Sequence, residues 1–238
     1  MPPKTRPRKP DSEPNLLHGG KQADTCPRCR FPRNKKDKSK GKLLHGIPEV
    51  TDSAQLRNVL VTIDRNLRQD HDLMNDPAAV FMMGVLEAKI GGREYFLIAS
   101  SGQKADPWIQ EKHLNGISYH QGDWESANPT IPDGHRDWMT IRGEKVDLET
   151  SIPIADVRKP CSAVKLLLGL GGKRLEWKSV EYLRMSEMVF VGPEADPARM
   201  RQWHGKGATN SWTAHSCNAC EARIPYLICD VPANQIVD

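Results

Sequence analysis

The sequence has no long apolar run. Its longest apolar stretch, from Val164 to Leu170, is interrupted by Lys165 and falls well short of the ~18 residues that a membrane-spanning helix needs. The N-terminus is basic and rich in proline, and it contains no hydrophobic segment typical of a signal peptide. We therefore expect neither a membrane span nor a Sec signal peptide. A length of 238 residues predicts one domain, or one domain with a tail.

Acidic residues are scarce at the N-terminus. The first 42 residues contain 13 lysines and arginines but only 4 acidic residues, whereas the rest of the chain carries 21 basic and 26 acidic residues. Apolar residues are also few there, so we expect residues 1–45 to form a flexible, disordered basic arm. Its positive side chains, among them Arg28, Arg30, Lys35 and Lys36, would be attracted to the phosphates of nucleic acid by counterion release. A solvated leader that binds nothing is the alternative.

Two of the six cysteines form a CxxC pair within this arm. Cys26 and Cys29 are separated by two residues, the spacing that lets two thiolates face one zinc ion across a tight turn. Two ligands do not complete a tetrahedral site, but His18 and His45 flank the pair and could do so. The pair therefore predicts a small zinc knuckle, and chance spacing in a polar segment is the alternative.

From residue 50 onward the apolar pattern is that of a folded α/β domain, which we place at residues 50–238. Helical periodicity follows a candidate N-cap at Asp52 or Ser53, and two β-prone runs joined by Gly91 and Gly92 predict a hairpin. We expect a mixed sheet of about five strands flanked by helices, with an irregular excursion over 102–155. The predicted elements are a helix over 53–67, strands over 80–90 and 93–99, a helix from 160, a strand over 188–191, a helix from 217 and a strand over 226–230.

The C-terminal third contains a second CxxC pair. Cys217 and Cys220, three residues apart on the first turn of a predicted helix, point in the same direction and can bind one zinc ion. Cys161 is the best third ligand, because it also opens a helix, where the helix dipole lowers the pKa of a thiol. Three thiolates leave one coordination position open, which is typical of a catalytic zinc site that lowers the pKa of a bound water.

Other arrangements of the cysteines are less favoured. A disulfide between Cys217 and Cys220 is an alternative, but the sequence has no secretion signal, so reduced thiols are expected. Cys229 lies in an apolar run and is interpreted as an ordinary core residue of a strand. A four-cysteine ribbon that joins the two CxxC pairs would enclose roughly 190 residues, far more than the ~15–20 that such ribbons normally enclose.

The residues around these cysteines resemble the motifs of the zinc-dependent nucleobase deaminases, the cytidine deaminase-like superfamily. Members of that family have a helix that opens with His or Cys, any residue and Glu, and a later helix that opens with Pro-Cys-x-x-Cys; bacterial toxin-type members often use Cys in the first motif. Cys161-Ser-Ala163 is similar to the first motif, and Cys217-Asn-Ala-Cys220 to the second. The order of the predicted elements is also similar. The resemblance implies a deaminase-like sheet over 50–238, with Zn²⁺ bound by the three cysteines.

Three features depart from the family pattern. Ala163 occupies the position of the catalytic Glu, Ser216 replaces the Pro before the second CxxC, and the 56-residue separation of Cys161 and Cys217 implies an insertion. The family's Glu takes a proton from water and returns protons to the base and the departing ammonia. Because Ala cannot carry a proton, we predict a zinc-binding protein with little or no turnover, either a deliberately inactivated variant or a natural pseudoenzyme.

The resemblance implies hydrolytic deamination of a nucleobase, cytosine rather than adenine, in DNA or RNA. Trp212 lies in a Ser-Trp segment similar to the one that precedes the second motif of polynucleotide cytidine deaminases, where it could stack on a base; a structural anchor is the alternative. Kinship with the toxin branch implies an immunity protein as partner and delivery by a secretion system, with a cytoplasmic location as the alternative. Two rival functions are a non-catalytic, zinc-stapled nucleic-acid-binding protein and a metal-dependent nuclease that uses His204 or His215.

Overall fold

The computed structural model describes residues 17–18, 25–32, 45, 50–103, 107–173, 180–201, 212–213 and 217–236. The strands in these residues are β1 (Leu17–His18), β2 (Val50–Thr51), β3 (Val80–Ile90), β4 (Arg93–Ser100), β5 (Trp124–Ser126), β6 (Trp138–Met139), β7 (Lys145–Val146), β8 (Val180–Val191) and β9 (Trp212–Thr213). The helices are α1 (Ala54–Leu67), α2 (His71–Met74), α3 (Ile154–Val157), α4 (Ser162–Gly172), α5 (Pro197–Arg201) and α6 (Asn218–Leu227), with 3-10 turns at Glu111–Leu114 and Ala233–Gln235. None of these helices combines the length and the apolar character that a bilayer crossing requires.

Three long antiparallel strands form the centre of the sheet. β3 and β4 make the predicted hairpin around Gly91 and Gly92, whose φ angles of 59° and 80° lie in the left-handed region that such a turn needs. β8 pairs with the other edge of β3, while β5 lies parallel to β4 and β2 lies parallel to β8. In the described part of the chain, the five strands β2-β8-β3-β4-β5 thus confirm the predicted mixed sheet. The two-residue strands β1 and β9 extend it beside β2 and β8.

Helices cover both faces of this sheet. Phe81 and Met83 of β3 pack with α1 in one apolar cluster, and Leu86 and Ala88 of the same strand pack with α4 in another. This alternation follows from the pleat, which directs successive side chains to opposite faces. α1 begins after Ser53, one of the two predicted N-cap candidates, whose hydroxyl accepts a hydrogen bond from the first helical turn. The predicted α/β class is therefore confirmed.

Several segments differ from the sequence prediction. The strand predicted over 188–191 is the end of the much longer β8, which begins at Val180. The excursion over 102–155 is not wholly irregular, since it contains β5, β6, β7 and short helical turns. The run from Tyr226 to Asp230 is not a strand; it is the end of α6 followed by a turn. A short apolar run has no periodicity that separates a buried strand from a buried helix end. Cys229 therefore lies just beyond a helix instead of inside the sheet.

Asp70 connects α2 to the first 3-10 turn. As the N-cap of α2 it accepts hydrogen bonds from the backbone N–H groups of Asp72 and Leu73. Its carboxylate also lies 2.7 Å from Lys112 Nζ and 3.0 Å from His113 Nε2. The hydrogen bond from Lys112, and then that from His113, lowers the pKa of Asp70 to about 2. The ionised carboxylate is therefore the form that stabilises this contact.

We expect Asp70→Asn to lower the free energy of unfolding at neutral pH, because it removes the charge that pairs with Lys112 and His113. The loss should be only about 1 kcal/mol, since the exposed Lys112 partner is screened by solvent. The folded pKa of Asp70 lies below the unfolded value of about 4. Its contribution is therefore complete above about pH 4 and is lost as the pH falls toward 2. Urea unfolding of both proteins across this range should show the difference closing at low pH. Asp137→Asn, which removes an exposed pair with Lys145, is the control; a difference that did not vary with pH would contradict the role of the charge.

Candidate metal centres

The openings of two helices meet at the first candidate site. Cys161 is the N-cap of α4 and Cys217 is the N-cap of α6, as the sequence predicts, and Cys220 lies in the first turn of α6. Neither N-cap thiol makes a capping hydrogen bond to its own helix. Because α4 packs against α6, the three thiols are brought together from segments 56 residues apart.

The distances between the sulfur atoms suit a metal ion. The three Sγ atoms all lie within 4.8 Å of one another, and Cys161 Sγ is 3.9 Å from Cys217 Sγ. A tetrahedral zinc ion with bonds of 2.3 Å holds its sulfur ligands about 3.8 Å apart. A disulfide needs about 2.05 Å, and all six cysteines are free thiols in the structure. The alternative of a disulfide between Cys217 and Cys220 is therefore not what the structure contains, and the cluster can hold a metal ion.

Arg223 fixes the position of Cys161. Its side chain is fully buried, and its Nη2 donates a hydrogen bond of 3.2 Å to Cys161 Sγ. The same guanidinium donates to the backbone oxygens of Val157 and Lys159, each at 2.8 Å, and to Ala219 O at 2.9 Å. A permanently charged donor against a sulfur favours the thiolate that a metal requires. No motif in the sequence marks Arg223; the one signal is its position three residues after Cys220, which places both on one face of α6.

The three thiols share protons in a way that favours a divalent cation. The pKa of Cys217 lies far below its ordinary value, because its sulfur accepts hydrogen bonds from Cys161 and then from Cys220. The contact with Cys217, and then burial, raise the pKa of Cys161, while the contacts with Cys161 and Cys217 and burial raise the pKa of Cys220. Three thiolates in contact repel one another, and binding of a cation replaces the protons that otherwise separate their charges. We therefore expect metal affinity to decrease as the pH falls.

Ala163 lies in the first turn of α4 and is fully buried. Its backbone N–H donates to Glu187 Oε1 at 3.2 Å, and the hydroxyl of Ser162 donates to the same oxygen at 2.6 Å. Glu187 reaches this turn from β8 and is only 2% exposed. The carboxylate thus caps the N-terminus of α4, where the Cys161 side chain does not. No local sequence pattern places Glu187 there, because the contact depends on how α4 lies across the sheet.

A second group of metal-binding side chains consists of Cys26, Cys29, His45 and Cys229, and it too can hold a metal ion. The predicted CxxC pair and one of its two flanking histidines are therefore brought together. Cys229 is buried, as interpreted, but it lies just beyond α6 instead of inside a strand, and its thiol belongs to this group. The disfavoured four-cysteine ribbon is absent from the described residues, since the two CxxC pairs belong to different clusters. The side chain of His18 lies outside the described residues. For residues 25–32 the prediction of a flexible arm is also corrected, because Cys26 and Cys29 are buried.

The residues predicted to contact nucleic acid lie in different environments. Arg28 donates hydrogen bonds to Cys229 Sγ, Val231 O and Glu144 Oε2, so its guanidinium is part of the fold. The side chain of Arg30 is 69% exposed. The backbone of Trp212 pairs with Val189 in the sheet. The Trp212 side chain, Lys35, Lys36, His204 and His215 lie outside the described residues.

Comparison with known proteins gives no further assignment. No protein-family model, curated protein or solved structure matches the chain. The geometry of the cysteine clusters and the sequence motifs are therefore what indicates a function for this chain.

Proposed function

We propose that this chain is a zinc-dependent deaminase domain that removes the amino group of a nucleobase by hydrolysis, and that it is inactive with Ala163 in place. The observation that carries the proposal is the convergence of Cys161, Cys217 and Cys220 at the openings of two helices packed on a mixed sheet. Three thiolates leave one position for water, as catalytic zinc sites do. Zinc held there would act as a Lewis acid that lowers the pKa of water.

The side chains around the cluster support both the proposed metal binding and the proposed lack of turnover. Arg223 holds Cys161 in place and offsets the excess negative charge of three thiolates around a divalent ion. Ala163, two residues after Cys161, has no group that accepts or delivers a proton. The Glu187 carboxylate already accepts two hydrogen bonds from the first turn of α4. The reaction breaks the C–N bond to the amino group, forms a C–O bond from water and releases ammonia. Protons must pass from the water to the base and to the departing amino group, and with Ala163 the proposed site has no side chain to carry them.

The substrate class follows from chemistry outside the metal cluster. The excess of basic residues at the N-terminus favours a polymer of nucleotides over a free nucleoside. Base deaminases act on single strands or on a base flipped out of a duplex, and cytosine is the favoured target by resemblance to the polynucleotide enzymes. An immunity protein as partner and delivery by a secretion system belong to the same proposal, through the toxin branch of the family.

We expect Ala163→Glu to increase base conversion by about 10²- to 10⁴-fold, the range of general acid–base catalysis. The protein would be incubated with single- and double-stranded DNA and RNA, and the products sequenced. Conversion of cytosine to uracil would identify the expected chemistry and its polymer; conversion of adenine to inosine would correct the choice of base.

The matched control is Ala163→Gln, which has nearly the same volume as the glutamate variant but cannot carry a proton. It should remain as inactive as the original chain. Because position 163 is fully buried, zinc content and thermal unfolding of both variants must be measured first. A folded, zinc-loaded Ala163→Glu protein that converts no base in any of the four substrates would overturn the proposed function.

One observation favours a second candidate, the non-catalytic zinc-stapled nucleic-acid-binding protein. The cluster of Cys26, Cys29, His45 and Cys229 offers four ligands, the number found in structural zinc sites. This candidate expects binding of nucleic acid without base conversion, both before and after Ala163→Glu. The same sequencing experiment, with a gel-shift measurement of binding, therefore separates the two.

A further inference from the structure

Four metal-binding side chains from the two ends of the chain meet at one place. Cys26, Cys29, His45 and Cys229 have ligand atoms that all lie within 4.8 Å of one another. Their exposed fractions are 0%, 1%, 0% and 0%. Three thiols and one imidazole, buried and this close together, match the ligand set of a closed tetrahedral zinc site.

The CxxC pair lies on a tight hairpin over residues 25–32. Cys26 N donates to Phe31 O at 3.0 Å, and Arg30 N donates to Cys26 O at 2.9 Å. Arg30 has a φ of 59°, a left-handed conformation that disfavours a side chain. The hairpin turns both thiols to one side. A strained residue such as Arg30 persists only where the surrounding structure holds it, and a bound metal would supply that constraint to this short hairpin.

His45 provides the second indication of a metal. It is completely buried, yet neither of its ring nitrogens makes a hydrogen bond. A buried polar group without a partner costs about 1–3 kcal/mol, and coordination of a metal would remove that cost. Its Nδ1 lies 3.8 Å from Asp230 Oδ1, which places a carboxylate where metal-bound histidines commonly have their outer hydrogen-bond partner.

Arg28 provides the charge balance. Three thiolates and a neutral imidazole around a divalent ion carry a net charge of −1, which is costly to bury. Arg28 lies between the two cysteines of the hairpin, and its Nη1 donates to Cys229 Sγ at 3.2 Å. The same side chain bonds to Val231 O at 2.6 Å and to Glu144 Oε2 at 2.7 Å. A cation is therefore built into the cluster next to the sulfur that comes from the other end of the chain.

We propose that Cys26, Cys29, His45 and Cys229 bind a structural zinc ion that fastens the N-terminal hairpin to the segment after α6. The site is closed by four protein ligands, so it has no position for water or substrate. Thiolate and imidazole ligands in a tetrahedral set select zinc over magnesium or calcium. This site is independent of the deaminase proposal, since it shares no ligand with the Cys161 cluster.

The test is the metal content of the full chain, purified after expression with added zinc and measured by elemental mass spectrometry. The original chain is expected to hold two zinc ions. Cys229→Ser is expected to lose the ion at Cys26, Cys29 and His45 and to keep the ion at the Cys161 cluster. Cys220→Ser is expected to lose the ion at the Cys161 cluster and to keep the other. Val231→Ala, which changes a buried neighbour in the same apolar cluster without removing a ligand, is the matched control and should hold two.

A second variant keeps four ligands, so that its result does not depend on whether a protein without the ion still folds. His45→Cys changes the ligand set from three sulfurs and one nitrogen to four sulfurs. With Co²⁺ in place of zinc, its visible absorption should move to longer wavelength, while Val231→Ala leaves the spectrum unchanged. An unchanged Co²⁺ spectrum in His45→Cys, or two zinc ions in a folded Cys229→Ser protein, would overturn this site whatever the outcome at Ala163.

Discussion

Replacing Arg223 with methionine is expected to weaken zinc binding at the Cys161 cluster by roughly 10- to 100-fold, the usual effect of removing a group that orients a ligand. We also expect the free energy of unfolding to fall by about 3–5 kcal/mol, as when one partner of a buried charged contact is removed. The substitution removes the hydrogen-bond donor to Cys161 Sγ, and the backbone oxygens of Val157 and Lys159 lose their hydrogen bonds from the same guanidinium. Methionine has nearly the same volume, so a cavity contributes little.

The measurement combines competition with a zinc chelator and urea unfolding at neutral pH. Arg223→Lys keeps the charge but has a single donor group in place of the planar fork, so its zinc affinity should lie between those of the original chain and the methionine variant. Arg68→Met removes a partly exposed pair with Asp64 and should cost no more than about 1 kcal/mol. Equal zinc affinity in Arg223→Met and the original chain would show that Arg223 only supports the fold.

In both cysteine clusters an arginine donates a hydrogen bond to a cysteine sulfur. Arg223 donates to Cys161 Sγ at 3.2 Å, and Arg28 donates to Cys229 Sγ at 3.2 Å. In each case the arginine also bonds to backbone oxygen, which fixes the guanidinium before any metal is present. Three thiolates around a divalent ion carry one excess negative charge, and one arginine offsets it. The clusters differ in the number of candidate ligands, three against four, and this difference is the reason we propose chemistry for one and a structural role for the other.

Much of the fold can be predicted from the sequence, because its signals are local. The N-cap at Ser53, the turn at Gly91 and Gly92, and the helix openings at Cys161 and Cys217 each depend on a few neighbouring residues, and all four are found in the structure. The three ligands of the first cluster could be proposed for the same reason, since each occupies a helix opening whose dipole suits a thiolate.

The rest depends on contacts between distant segments. Arg28 and Cys229 are 201 residues apart in the chain, and nothing near Cys229 indicates that it faces a hairpin from the N-terminus. Its apolar neighbours favoured an ordinary core position in a strand. Glu187 likewise reaches α4 only because β8 lies beneath it. Such pairings follow from the packing of the whole sheet, which a single sequence does not encode in any short pattern.

The spacing of the two helices that hold the first cluster depends on Gly171. A Cβ atom at this position would overlap the backbone oxygen of Thr140. The next residue, Ile141, donates its N–H to Leu227 O at the end of α6, at 2.7 Å. The segment at Thr140 therefore lies between the end of α4 and the end of α6. Glycine at 171 lets this segment approach α4, and we expect the close approach to set how α4 packs on α6.

Gly171→Ala is accordingly expected to lower the free energy of unfolding by about 3 kcal/mol, the upper range for overpacking a core, because backbone at Thr140 cannot move aside as a side chain end would. Gly172→Ala is the matched control: the next residue of the same helix has nothing within 4 Å of its added Cβ, and alanine there should be neutral or stabilise by up to about 0.5 kcal/mol. Urea unfolding gives the stability of both variants, and chelator competition gives their zinc affinity. If α4 and α6 are held at their spacing by this contact, Gly171→Ala should lose zinc from Cys161, Cys217 and Cys220 more readily than Gly172→Ala. Equal stability of the two variants would mean that the Thr140 segment adjusts at no cost and does not set the geometry of the site.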